Sequence, residues 1–321
     1  MSGFPSSSRP TRRVDFGLAP ALVAQGLGDS RLALGLAGLG GAWGPVDQDE
    51  SLATIQRALE LGLNVFDTAP AYGTAEALLG RALGQWRGPR PIISTKVGRL
   101  AGRDSHEENY DHTPAGMRAS LERSLDALGV AKVDLLFLHE PQMVSPAERP
   151  RVVDTLRALQ ADGLVLRLGI GGGFGSELDG FIESGAFDVM MLFRRVDPVM
   201  LDGVGTDVPR LRRTGMTIYG ASPLHMGLLG SRHEQFVRER PDWVWGPQID
   251  RAQQLQVLAR RHGLPLAALA HRFTFGVGEL DRVVIGASNR GELRAALADF
   301  EAGPLPPGLF DAVCQINEPR S

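Results

Sequence analysis

The chain has 321 residues, 43% hydrophobic and 22% charged, with a net charge of -3 and a pI near 6.2. That balance provides for a large core and excludes a surface built mainly for nucleic acid or an anionic membrane. A single cysteine, Cys314, leaves no intrachain disulfide and no cysteine zinc cluster, which fits a reducing cytoplasm, and no run reaches the roughly eighteen apolar residues of a membrane span.

At the N-terminus, Arg12 and Arg13 precede a mildly apolar run as in a twin-arginine export signal, but Asp15 follows at once and Gly17, Pro20 and Gly26 interrupt the run. Residues 1–30 therefore read as a Ser/Pro tail leading into a short strand pair. From residue 31 apolar runs alternate with amphipathic ones. "RLALGLAGLG" reads as a strand, followed by the helix "DQDESLATIQRALELG" with Leu52, Ile55 and Leu59 on one face and Asp47 and Glu50 in capping-box spacing. The strand "NVFDTA" precedes the helix "TAEALLGRALGQW", and "PIISTKVG" precedes a helix opened by Thr113 and Pro114 with Leu121, Leu125 and Leu128 as its stripe. Then come "KVDLLFLHE" with "RVVDTLRALQADG", "VLRLGIGG" with "SELDGFIESG", "FDVMMLFR" with "VPRLRRTG", "MTIYGAS" with "RAQQLQVLARRHG", and "RVVIGAS" with "RGELRAALADFEAG".

Strict alternation of this kind means parallel strands with right-handed crossovers, and residues 31–321 are expected to close into one α/β domain, a (β/α)8 TIM barrel. A doubly wound sheet is the runner-up, disfavoured because "GLGGAWG" after the first strand lacks the G-x-G-x-x-G spacing. The glycines of "GIGGGFG" after the fifth strand suit either a phosphate cradle or a tight turn.

In a barrel the functional side chains stand at the C-terminal ends of the strands. Strand two ends in Asp67 with Tyr72 in its loop, strand three in Lys96, and strand four in His139, on the face of Phe137, Leu135 and Val133. Each has an ordinary alternative: Asp67 as a helix cap, Tyr72 as core filler, Lys96 snorkelling to solvent, His139 as a satisfied core histidine. Together they point elsewhere. A lysine ending an apolar strand needs a carboxylate, which the neighbouring strand supplies. A paired ammonium beside a phenol is expected to lower the Tyr72 pKa from about 10, making it a proton donor or acceptor while His139 orients a substrate oxygen.

The stretches "NVFDTAPAYGTAEALLGRAL", "ISTKVGR", "SLERSLDALGVAKVDLLFLHEP", "GASPLHMGLL" and "RVVIGASNRGEL" resemble, in order, the signature blocks of the aldo-keto reductases, over about residues 31 to 300. The likeness is greatest to the branch holding L-galactose, L-fucose and D-threo-aldose dehydrogenases and pyridoxal 4-dehydrogenase. The resemblance implies a (β/α)8 barrel that moves a hydride between NAD or NADP and a small polar carbonyl or alcohol, with Asp67, Tyr72, Lys96 and His139 as catalytic tetrad and no metal. It also implies a pyrophosphate loop at Ser222, Pro223, Leu224, Gly227 and Leu228, and an adenosine site at Gly286, Ser288 and Asn289, with backbone N–H groups as donors.

The chain departs from the family where the nicotinamide carboxamide is held. Gly172 and Gly173 replace the usual Ser-Asn, and Met190 and Met191 stand where a Gln is common; each lost hydrogen bond is worth about 1 kcal/mol. Glu292 occupies the place of an Arg that clamps the 2′-phosphate in NADP-using relatives, which favours NAD, with Arg290 near enough to compensate. Trp43, after the first strand, is an expected aromatic wall of the substrate site, with rim packing as its alternative. Two other functions fit the same barrel: a cofactor-binding regulatory or partner-binding protein with slow chemistry, and an enzyme performing redox-neutral chemistry.

Overall fold

Eight short apolar runs pair edge to edge into a closed parallel barrel. The computed structural model describes residues 9–13, 19–102, 109–172 and 175–318. The strands are β1 (Leu32–Gly35), β2 (Val65–Asp67), β3 (Ile92–Val97), β4 (Val133–His139), β5 (Val165–Gly171), β6 (Val189–Phe193), β7 (Thr217–Ala221) and β8 (Arg282–Gly286). They follow chain order around the barrel, and β8 closes on β1 with Leu34 opposite Ile285. The helices are α1 (Pro20–Ala24), α2 (Ala37–Gly40), α3 (Gln48–Glu60), α4 (Ala75–Gln85), α5 (Pro114–Leu128), α6 (Arg149–Ala161), α7 (Asp179–Glu183), α8 (Asp202–Thr206), α9 (Val208–Arg213), α10 (His233–Glu239), α11 (Gly246–Arg261), α12 (Leu266–Phe275), α13 (Arg290–Glu301) and α14 (Pro307–Asn317). Among the described residues no helix is long and apolar enough to cross a membrane.

Local chemistry sets the helix ends. The Asp47 carboxylate accepts from the amides of Asp49 and Glu50 at 2.9 and 3.1 Å and starts α3. Thr113 caps α5 ahead of Pro114, and Gly129, at φ 66°, ends it.

Strand alternation divides the core in two. Ala33, Val65, Leu135, Phe137, Val189, Met191, Tyr219 and Val284 point inward and fill the barrel, whereas the opposite parity packs against the helices. The floor is closed from the leader. Leu22 and Leu27 insert into the inner cluster, and buried Arg282 donates to Tyr219 Oη at 2.6 Å and to the carbonyls of Leu27 and Ser30 at 2.7 and 2.8 Å. With the floor plugged, only the C-terminal mouth is left for a ligand.

Three expectations change. Among the described residues, the segment before residue 31 forms helix α1 and an isolated bridge from Arg12 to Val277, with no strand pair. The run at 31–40 leaves the sheet after Gly35, because Leu36 and Leu39, three apart, are both fully buried when the chain turns as α2. Between β7 and β8 stand α10, α11 and α12 where one helix was expected. Most of α12 is buried, so it lacks the broad polar face of a surface helix.

The turn of α2 bears on the site directly. Thr74 donates its amide to Gly40 O at 2.9 Å, and a β-carbon on Gly40 would overlap the Tyr72 carbonyl oxygen. The chain that carries Tyr72 is thus seated on bare backbone. Gly40→Ala is expected to destabilise the protein by about 1–3 kcal/mol, the range for overpacking, and to lower turnover by displacing Tyr72. Urea unfolding beside a steady-state assay checks this, and wild-type values for both would refute the seating.

Candidate active site

Asp67, Lys96 and His139 end three adjacent strands and are all buried, at 4%, 1% and 8% exposure. The parallel register aligns Asp67 with Ser94 and Lys96 with Phe137, so the three side chains rise on the inner face at the mouth. Lys96 Nζ donates to Asp67 Oδ2 at 2.6 Å and to the Thr68 carbonyl at 2.9 Å. The other oxygen of Asp67 accepts from Ser94 Oγ at 2.7 Å. Burial pulls the Lys96 ammonium down, but the charges of Asp67 and Tyr72 outweigh it and hold the group above its usual range.

Tyr72 leans over this pair. Lys96 Nζ lies 4.8 Å from its ring centroid, and the ring meets that of His139 edge-on at 5.9 Å. The expected depression of the phenol pKa does not hold. Burial pushes Tyr72 up, and Lys96 pulls it down without overcoming that effect. His139 goes the other way: burial, then the charges of Lys96 and Arg99, push its imidazole well below the ordinary value. Its Nδ1 is buried with no hydrogen-bond partner among the described residues. At neutral pH the group is therefore a protonated phenol, a neutral imidazole and a paired ammonium.

Two neighbours went unmarked in the sequence. Arg99 donates to Glu140 Oε1 at 2.9 Å, and the Tyr110 hydroxyl donates to the same carboxylate. The signal was available, since Arg99 closely follows Lys96 and Glu140 directly follows His139 at strand ends. Trp43 stands at the rim between α2 and α3, 45% exposed.

The opposite half of the mouth is built from loops. Gly172, at φ 91°, leaves open space where a side chain would approach Glu140, and a β-carbon on Gly286 would meet nothing within 4 Å; Gly173 lies outside the described residues. Met190 and Met191 are buried, one toward the helices and one into the barrel, and pack the core. Pro223 and Leu228 are also buried. Ser222, Leu224 and Gly227 are partly exposed, and much of the loop's backbone is bonded within the loop. The amides of His225, Gly227, Leu228, Leu229 and Gly230 bond to loop carbonyls, and that of Met226 to Ser222 Oγ at 3.0 Å. His225 anchors the loop from below, fully buried, with Nδ1 2.8 Å from Asp197 Oδ2 and Nε2 3.2 Å from Gln248 Oε1.

The start of α13 is likewise self-satisfied. Asn289 Oδ1 accepts from the Glu292 amide and Glu292 Oε2 from the Ser288 amide, both at 2.9 Å, a capping box. Glu50, expected to close the box of α3, instead crosses to Arg290 and accepts from its amide at 2.9 Å and its guanidinium at 2.7 Å. Hydrogen bonds from Arg290 lower the Glu50 carboxyl to about 2. Arg290 is thus matched by Glu50.

Residues 31–318 match the Aldo/keto reductase family. The chain is 28% identical to the D-threo-aldose 1-dehydrogenase of a Pseudomonas sp, covering 93% of this chain and 97% of that protein. It is 29% identical to the L-galactose dehydrogenase of Arabidopsis thaliana, covering 93% and 94%, and 27% identical to the pyridoxal 4-dehydrogenase of Microbacterium luteolum, covering 88% and 92%. Among solved structures, a glycerol dehydrogenase from Gluconobacter oxydans superposes with a TM-score of 0.74 at 25% identity, covering 91% of this chain and 94% of that one.

Removing one charge of a buried pair strands the other. Asp67→Asn is expected to cost about 3–5 kcal/mol, and adding Lys96→Met should restore much of it by leaving no charge to strand. Chemical denaturation of both variants tests this; a double variant no more stable than the single one would contradict it.

Proposed function

The chain belongs to the aldo/keto reductase family and is a nicotinamide-dependent oxidoreductase; from that premise we propose that Asp67, Tyr72, Lys96 and His139 serve hydride transfer at the carbonyl or alcohol carbon of a small polar substrate of the aldose type, with NAD preferred. The observation that carries this reading is the buried Lys96–Asp67 pair under the Tyr72 ring, edge-on to His139. The dinucleotide, when bound, supplies or accepts the hydride. Tyr72 meets the substrate oxygen with a proton or removes one, because the charge left on oxygen as hydride moves must be met in the same transition state. Lys96 limits how far burial raises the phenol, Asp67 keeps Lys96 charged in the low dielectric, and neutral His139 orients the oxygen. The Arg99–Glu140–Tyr110 cluster and the exposed face of Trp43 offer hydrogen-bonding groups and an aromatic wall suited to a hydroxylated substrate.

A raised Tyr72 pKa gives the pH dependence its sign. The phenol is protonated through neutral pH, so reduction is expected to stay level there and to fall only when alkaline pH removes the proton, while oxidation rises over the same alkaline range. Tyr72→Phe should lower kcat in both directions by roughly 10²- to 10⁴-fold with cofactor affinity kept. A variant retaining more than about a tenth of wild-type kcat, with chemistry rate-limiting, would sink the assignment.

The NAD preference follows from the carboxylates of Glu50 and Glu292 at the start of α13, which oppose a third negative phosphate. The double variant Glu50→Gln, Glu292→Gln keeps an amide able to complete the cap and releases Arg290. It should shift kcat/KM toward NADP by a factor on the order of ten or more. A wild-type protein that already prefers NADP would overturn this.

A further inference from the structure

At the seam of β6 and β7 the mouth carries an arginine held by rings. Phe193 ends β6 on the inward parity of Val189 and Met191, pairs with Ala221 of β7, and is 42% exposed. Arg194 follows in the left-handed region, at φ 54°, its amide donating to Ala221 O at 3.2 Å. Its guanidinium carbon lies 5.7 Å from the Phe193 centroid and 5.8 Å from that of Trp243. Trp243 is 48% exposed and set edge-on against Phe236 at 5.2 Å.

What the guanidinium lacks points to a ligand. Among the described residues Arg194 makes no ion pair and its side chain donates no hydrogen bond, whereas Arg195 beside it is matched by Asp202 and Asp207. The carboxylate that acts on Arg194 through space, Asp197, is fully buried and already bound to His225 and the Val199 amide. A half-buried cation beside two rings, its donors unused among the described residues, is a receptor for an anion. Arg194, Ser222, His225 and Met226 all take positive φ within this one seam, and such backbone strain persists where function needs it.

We propose that Arg194, its guanidinium beside the rings of Phe193 and Trp243, binds the pyrophosphate of the nicotinamide dinucleotide, adding side-chain donors next to a loop after β7 whose amides at residues 225–230 are bonded within the loop. This rests on the hydride-transfer reading above. Two observations favour the cofactor's phosphates over an acid group on the substrate. Arg194 is bonded to the residue that precedes Ser222, at the entrance of that loop. The tetrad belongs to β2 to β4, across the barrel from β6 and β7, and an extended dinucleotide reaches farther than a small substrate held at Tyr72 and His139.

The test is equilibrium binding, followed by quenching of tryptophan emission. NADH and ADP-ribose, which keeps the pyrophosphate without the nicotinamide, are titrated into wild type, Arg194→Gln, Arg194→Lys and Trp243→Ala at low and high ionic strength. Arg194→Gln should weaken both ligands by about ten- to a hundredfold and flatten the salt dependence. Arg194→Lys should keep part of the affinity as a point charge, and Trp243→Ala should lose several-fold, with thermal melts showing all variants folded. Unchanged dissociation constants in folded Arg194→Gln overturn the proposal. So does a variant with unchanged cofactor binding whose KM rises only for a uronic acid and not for the neutral aldose, which would give Arg194 to the substrate. If wild type binds neither NADH nor NADPH, the hydride-transfer reading itself falls, a result separable from a failure of Arg194 alone.

Discussion

The ammonium of Lys96, almost wholly removed from water, is the constraint around which the mouth is arranged. A charge in that position persists only with a carboxylate against it and its remaining protons bonded, and the chain meets each need locally: Asp67 from β2, the Thr68 carbonyl next to it, and Ser94 to hold the second oxygen of Asp67. A purely structural pair would be replaceable by packed hydrocarbon at little or no loss of stability. Its place at the open end of a barrel otherwise filled with apolar side chains accords with the proposed role beside Tyr72, whose ring centroid lies 4.8 Å from Nζ.

The two halves of the mouth are built differently. The β2–β4 half presents side chains from strands, whose pleat and register fix direction closely, and proton transfer tolerates little misplacement. The β5–β8 half presents loops, and there the positions are enforced by buried polar anchors such as Asp197–His225–Gln248 and by residues in left-handed backbone that are not glycine. Two halves built in these different ways suit the proposed reaction, in which one partner would be gripped along its length and the other only at a single oxygen.

The barrel and the three polar strand ends, with Tyr72 in the loop after the first of them, were legible because they depend on short-range pattern: apolar runs of strand length, each followed by an amphipathic period, with a polar residue where the run stops. What stayed hidden depends on contacts distant in sequence. α12 is mostly buried and lacks the broad polar face by which a surface helix is recognised. Glu50 looked like a partner for Asp47 three residues away, yet its carboxylate meets Arg290, 240 positions along. The direction of the Tyr72 shift could not be read either, since it is decided by how fully the fold desolvates the phenol and not by which charge stands beside it. Nor does any residue type announce that Ser222, His225 and Met226 fold back to occupy their own amides.

Charge matching around the rim ties these features together. Lys96 faces Asp67, Arg99 faces Glu140, Arg195 faces Asp202 and Asp207, and Arg290 faces Glu50. Each such pair fixes a side chain and cancels its field, so none attracts an anion strongly while paired. Arg194 is instead bounded by Phe193 and Trp243, which restrict its motion without neutralising it. On the cofactor reading proposed above, Gly172 and Gly173 and Met190 and Met191, in place of the carboxamide anchors, would weaken the hold on the nicotinamide end of a dinucleotide. A cation near the middle of the same ligand would offset that loss, because affinity sums over the whole molecule while orientation at the reacting carbon would be left to the proposed tetrad.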